Sequence, residues 1–340
     1  MGLLRGRWLY ILLFAALAVS YVRTFHATRH TPRAATAQAA PKQLPDPTID
    51  RGRMAALLQQ RPGLGIVLLG WGALGLGLSC AGFILTGRAL SSGRLRKLLR
   101  GPSHLPSRWA GKEAKRVFAL LVFLVAGWPM MRMAMVSWGI GRSVDVMSWS
   151  VVSMLILDLL VILIVWAFAT ESGRSMAKTF GVSLRRAPEM IRRGLTGYAA
   201  VFPWLFGLLW LSVAVFEYFG IHPPLEPIQE LLFLERRPWV VSVTVVLACV
   251  IGPIAEELFF RGVLFSSMRK KLGRPSAVLL SSVLFSLLHT NLIGFVPILA
   301  LGAFLALLYE RTGSLVASIA VHITHNALLI GFGLTLRELL

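Results

Sequence analysis

Long apolar runs separated by short, mostly basic stretches set the pattern of this chain. Runs at about 64–86, 117–139, 148–170 and 196–218 are followed by runs at about 239–268, 275–289, 293–309 and 314–332. Most approach the roughly 20 apolar residues that a helix needs to cross a bilayer. A shorter run, Trp8 to Val19, follows Arg5 and Arg7. The pattern predicts an all-α fold, a polytopic transmembrane helical bundle of about 8–9 membrane helices.

The segments between the runs carry the topology. Residues 1–25 read as a signal anchor or, given Ala16-Leu17-Ala18 near their end, a cleaved signal peptide. Residues 26–62, rich in Ala, Pro, Thr and Arg without apolar periodicity, read as a flexible extracytoplasmic linker. Residues 63–195 hold the N-terminal membrane helices, and 196–340 form a C-terminal membrane domain. The connection 87–116 has nine Lys/Arg against one acid, Glu113, and 171–195 has six against two. The segment 219–238 reverses the balance, with Glu226, Glu230 and Glu235 against Arg236 and Arg237. By the positive-inside rule the basic connections are cytoplasmic and the acidic one lies outside. Met268 to Arg274 is then a basic cytoplasmic turn.

Composition agrees. The chain is 56% hydrophobic over 340 residues, with a mean hydropathy of +0.71, above what soluble domains show. The net charge of +20 is loop-borne, so it reads as topology and contact with anionic lipid, with no nucleic-acid partner. Cys80 and Cys249 lie in apolar runs and read as packed thiols. Gly70-Trp71-Gly72-Ala73-Leu74-Gly75 matches a dinucleotide fingerprint but follows no strand, so close helix packing is the better reading. Arg132 and Asp158 lie within middle spans, where they pair with each other, Arg132 snorkels, or they serve substrate entry.

The chemistry concentrates in the last third. Glu256, Glu257 and Arg261 stand inside an apolar helix, three residues after Gly252-Pro253. Ionised groups are costly in hydrocarbon and mark functional sites there. Residues 257 and 261 are one turn apart on one face, in reach of an ion pair. Glu256 is displaced by about 100° and stays free for acid–base work. Phe285 and His289 are i and i+4, as are His322 and Asn326; His325 is a rival to His322 for the inward position. Counting about 1.5 Å per residue from the helix ends puts Glu256, His289, His322 and Asn326 near one depth.

Glu256-Glu257-x-x-x-Arg261, Phe285-x-x-x-His289 and His322-x-x-x-Asn326 together resemble the three-motif signature of the CPBP family of CAAX proteases and bacteriocin-processing enzymes, over a core of about 240–331. The resemblance implies that 196–340 is an intramembrane protease domain acting on a protein or peptide substrate in or at the membrane, CAAX-type, leader-peptide or C-terminal tail. It implies that Glu256, with His289, activates a water, that His322 and Asn326 stabilise the oxyanion, and that Glu257, Arg261 and Phe285 support the site. It leaves the cofactor as none or a divalent metal: Glu256, His289 and His322 also make a three-ligand zinc set, though no His-Glu-x-x-His motif is present. A non-proteolytic scaffold or immunity protein, or a proton-coupled transporter, are the rival expectations. The setting is an integral, multi-pass membrane protein, in the bacterial inner membrane if the source is prokaryotic.

Overall fold

The computed structural model describes residues 51–93, 103–105, 111–139, 141, 143–170, 175–223, 227–289 and 291–339. The N-terminal anchor expected over 1–25 lies outside them. Every regular element among the described residues is helical, and seven helices are long and apolar enough to cross a membrane. The chain is an integral multi-pass membrane protein.

Arg51–Gln60 (α1) and Pro62–Ser91 (α2) come first. The linker expected to run to 62 therefore stops sooner. Met54-Ala55-Ala56-Leu57-Leu58-Gln59-Gln60 consists of strong helix formers, and Pro62 opens α2 at a position where its missing N–H is harmless. α2 packs on the edge of the bundle, with Leu69 and Leu76 on its outer face exposed. The close helix packing expected at Gly70–Gly75 is absent: space beside Gly70, Gly72 and Gly75 is open. Trp71 makes the contact instead, edge-on to Phe332, with its Nε1–H donated to Thr335 Oγ1 at 3.0 Å. Cys80 is likewise exposed, whereas Cys249 is buried as expected.

Gly111–Ser137 (α3), Val146–Thr170 (α4), the short Met176–Phe180 (α5) and Ala187–Tyr218 (α6) follow. Phe180 is wholly buried and lies over Gly262, where a Cβ would come within 2.5 Å of its ring. A glycine is therefore required beside Arg261. The acidic connection 219–238 is more than a loop: Pro227–Phe233 (α7) folds inward and buries Leu231 and Leu232.

The C-terminal domain begins with a 51-residue helical run, Pro238–Leu288, which the sequence divides into two spans. Its parts are Pro238–Val246 (α8), a π-helical turn Leu247–Ile251, Gly252–Glu257 (α9), a second π-helical segment Leu258–Phe265, and Ser266–Leu288 (α10). Gly273 breaks the run with φ 78° and ψ 174°, which side chains resist. The reversal must be sharp. A straight helix would separate Glu256 from His289 by about 50 Å, yet they stand 3.7 Å apart. Glu310 ties the turn down, accepting from Arg269 Nε and Arg274 Nε at 3.0 Å each while fully buried. Phe295–Thr312 (α11) and Leu315–Arg337 (α12) complete the domain.

Burial is inverted relative to a soluble protein. Large apolar residues such as Trp210 and Leu163 face outward, while Glu257, Arg261, Ser318 and His322 are buried. On the opposite side from the Glu310 turn, Arg237 joins the approach to α8 to the start of α4. Its guanidinium reaches Asp145 Oδ1 at 2.8 Å and Glu235 Oε2 at 2.7 Å. The Arg237 hydrogen bond, together with backbone N–H groups of Arg237 and Arg236, lowers the Glu235 carboxyl to about 2. Asp145 is likewise held well below the usual carboxylate range, first by Arg237 and then by Ser148.

Candidate active site

The two adjacent acids separate as their spacing requires. Glu257 Oε1 meets Arg261 Nη1 at 2.7 Å, and both side chains are essentially sealed from solvent. The same Oε1 accepts from His322 Nδ1 at 3.1 Å, so one carboxylate oxygen is hydrogen-bonded to the imidazole and ion-paired with the guanidinium. Arg261 also donates Nη2–H to Gly302 O at 3.3 Å and stacks over the Phe285 ring at 4.2 Å. A desolvated cation over an aromatic face is attractive, and here the aromatic has further duties. The Phe285 ring touches those of His289 and His322, with centroids 4.5 and 5.6 Å away. Its carbonyl accepts the His289 Nδ1–H at 2.8 Å. Phe285 is thus the packing centre on which both histidines and the arginine rest.

Glu256 faces the other way, into a cavity of about 500 Å3 that His289, His322, His325 and Asn326 also line. Its Oε2 stands 3.7 Å from His289 Nε2 and 3.7 Å from His322 Nε2. That oxygen is buried and makes no hydrogen bond to a described residue. Each histidine commits its Nδ1–H to a protein oxygen, so each aims Nε2 at the same carboxylate oxygen. Separations of 3.7 Å are beyond direct hydrogen bonding and are the spacing that one water bridges.

Asn326 has a structural task as well. Gly252 N–H donates to Leu247 O in the π register, and the next donor in that register would be residue 253, which is proline and has no N–H. Ala248 O is left for Asn326 Nδ2, which donates to it at 2.8 Å. One amide hydrogen of Asn326 is spent on the bent helix and the second remains. His325, the rival to His322, bonds Tyr198 through Nδ1 at 3.0 Å and leaves the buried position beside Glu256 and Glu257 to His322.

Among the described residues no cluster of three or more His, Cys, Asp or Glu side chains is arranged to hold a metal ion. Glu256, His289 and His322, the alternative zinc set, converge on one carboxylate oxygen without forming such a cluster. The middle spans also differ from expectation. Arg132 and Asp158 do not pair: Arg132 lies over the Trp149 ring at 5.7 Å, and Asp158 lines the cavity with Glu256. Gln229 of α7 lines it too. Neither Asp158 nor Gln229 carries a local spacing signal. A lone acid in an otherwise uncharged α4 is the one mark that singles Asp158 out.

Residues 238–328 match the family described as type II CAAX prenyl endopeptidase Rce1-like, and the match spans all three motifs. Over these residues the chain is similar to the CPBP family of intramembrane proteases. It is 28% identical over 183 residues to "Putative membrane peptidase YdiL" of Bacillus subtilis (strain 168), covering 54% of this chain and 70% of that protein. It is 36% identical over 78 residues to "UPF0177 protein YxdF" of Lactococcus lactis subsp. lactis (strain IL1403), covering 23% of this chain and 42% of that protein. No solved structure matches the chain significantly. The chain is a peptide-bond hydrolase whose motif residues meet on α9, the following π-helical segment, α10 and α12.

Proposed function

We propose that the protease hydrolyses a peptide bond of a membrane-associated protein with a water activated by Glu256. The observation that carries this reading is the convergence of two imidazole Nε2 atoms on the otherwise unbonded Glu256 Oε2. A water held between Glu256 and His289 gives its proton to the carboxylate as its oxygen attacks the scissile carbonyl carbon. His322, doubly protonated with one N–H on Glu257, presents the other to the oxyanion, aided by the free amide hydrogen of Asn326. Collapse of the tetrahedral intermediate breaks the C–N bond, and Glu256 returns its proton to the leaving nitrogen. Arg261 neutralises Glu257, so the buried pair fixes His322 without adding net charge.

A CAAX-type, leader-peptide or C-terminal tail substrate fits a site opening among membrane helices, and a bacterial cell membrane fits the sources of the two relatives. The basic connections suit anionic headgroups. The test compares protein termini in membrane and secreted fractions of cells carrying wild type or Glu256→Gln. General acid–base groups contribute about 10^2- to 10^4-fold, so the expected result is at least one terminus that persists uncut in the variant. Full processing by Glu256→Gln would refute the assignment. Purified active protein should contain far less than one equivalent of zinc and keep its activity in chelator. Stoichiometric zinc that is lost with His289→Ala would replace the water-only mechanism with a metal-assisted one.

A further inference from the structure

Asp158 sits midway along α4, outside the family-matched region, and is the sole ionisable residue between Val146 and Thr170. A charged group at that depth is expensive, yet Asp158 makes no hydrogen bond or ion pair with the described residues. Its carboxylate lines the cavity with Glu256. A Cβ placed on Gly252 would lie 3.6 Å from Asp158 Oδ2 and 3.9 Å from Glu256 Oε1. The two acids therefore flank one bare stretch of backbone. Among the described residues no Lys or Arg lines the cavity, because Arg261 is sealed behind Glu257 and Arg132 is held over Trp149. Apolar neighbours such as Met154, Leu157 and Leu247 complete the wall near Asp158. Two carboxylates in such surroundings repel each other, and a cation placed beside them relieves the repulsion.

We propose that Asp158 is a specificity-determining residue that receives the ammonium or guanidinium of a substrate lysine or arginine close to the scissile bond. The assignment rests on the peptidase reading above. It makes α4, which carries none of the three motifs, part of the substrate site, and it gives the protease a preference for a basic residue within an apolar segment.

The test uses the full chain in proteoliposomes and a library of apolar peptides. Each position in turn is lysine, norleucine or glutamate, and products are read by mass spectrometry. Wild type should favour lysine over norleucine at one position near the cut by about ten-fold, the value of a single charge-assisted hydrogen bond. Asp158→Asn should bring that ratio close to one, and Asp158→Lys should shift the preference to glutamate. An unchanged ratio, or a proportional fall in all three rates, would overturn the assignment while leaving the peptidase reading in place. Wild type cutting no peptide faster than Glu256→Ala would overturn both.

Discussion

Arg261→Met isolates the buried ion pair. The substitution keeps the length and apolar bulk of the side chain and removes its charge, leaving Glu257 as a fully buried carboxylate. Breaking one partner of a buried pair costs about 3–5 kcal/mol, because the surviving charge loses its compensation. Loss of the stack on Phe285 at 4.2 Å and of the bond to Gly302 O falls within the same figure. The His322 N–H still faces Glu257, so the lower end, about 3 kcal/mol, is expected. Replacing both partners, Glu257→Gln with Arg261→Met, removes the uncompensated charge and should bring stability back to within about 1 kcal/mol of wild type. Unfolding followed by circular dichroism over rising SDS mole fraction in mixed micelles reads both values and their coupling. Activity should separate from stability. The amide that replaces the Glu257 carboxylate carries no charge to hold a protonated His322, so the double variant should fold yet turn over poorly. A single variant within about 1 kcal/mol of wild type, or a double variant no more stable than the single, would refute the reasoning.

Removing the amide in Asn326→Leu should cost about 1–3 kcal/mol by stranding Ala248 O. Adding Pro253→Ala supplies the missing backbone N–H and should restore much of that stability without restoring cleavage, checked by the same unfolding curves and by a peptide assay. The Asp145–Arg237–Glu235 cluster predicts an acid limb in the stability of the protein. Both carboxyl values are lowered, so their contribution is complete above about pH 5 and lost as pH falls. For Glu235 the loss runs from its ordinary 4.5 toward about 2. Arg237→Met should flatten stability against pH below about 5, and an unaltered slope in that variant would contradict the role given to the cluster.

Much of the geometry of the candidate site was legible in the sequence because helical spacing is local. The i, i+4 relation of Glu257 and Arg261 and the one-residue offset of Glu256 decide which acid is bound and which is free, and depth counting brings His289 and His322 to the same level. What could not be read depends on contacts between elements distant in sequence. The inward turn of α7 was hidden by the acidic composition of 219–238. Asp158 reaches the cavity only because α4 packs against the π-helical turn and α9. The structural duty of Asn326 follows from a π-register bond that no periodicity announces. Gly70, Gly72 and Gly75 of α2 failed as packing signals because nothing lies beside them, whereas Gly82, without a motif around it, packs against Ala199 and Pro203.

Under the proposed mechanism, the hairpin closed at Gly273 also bears on when activity can arise. Glu256 and His289 lie on its two arms and can meet as soon as both arms have entered the bilayer, their encounter needing only one short loop closure. His322 and Asn326 arrive on α12, the last helix described. On the proposed mechanism an unfinished chain would carry the base without its oxyanion donors and be inert, so synthesis would deliver proteolytic competence only with α12.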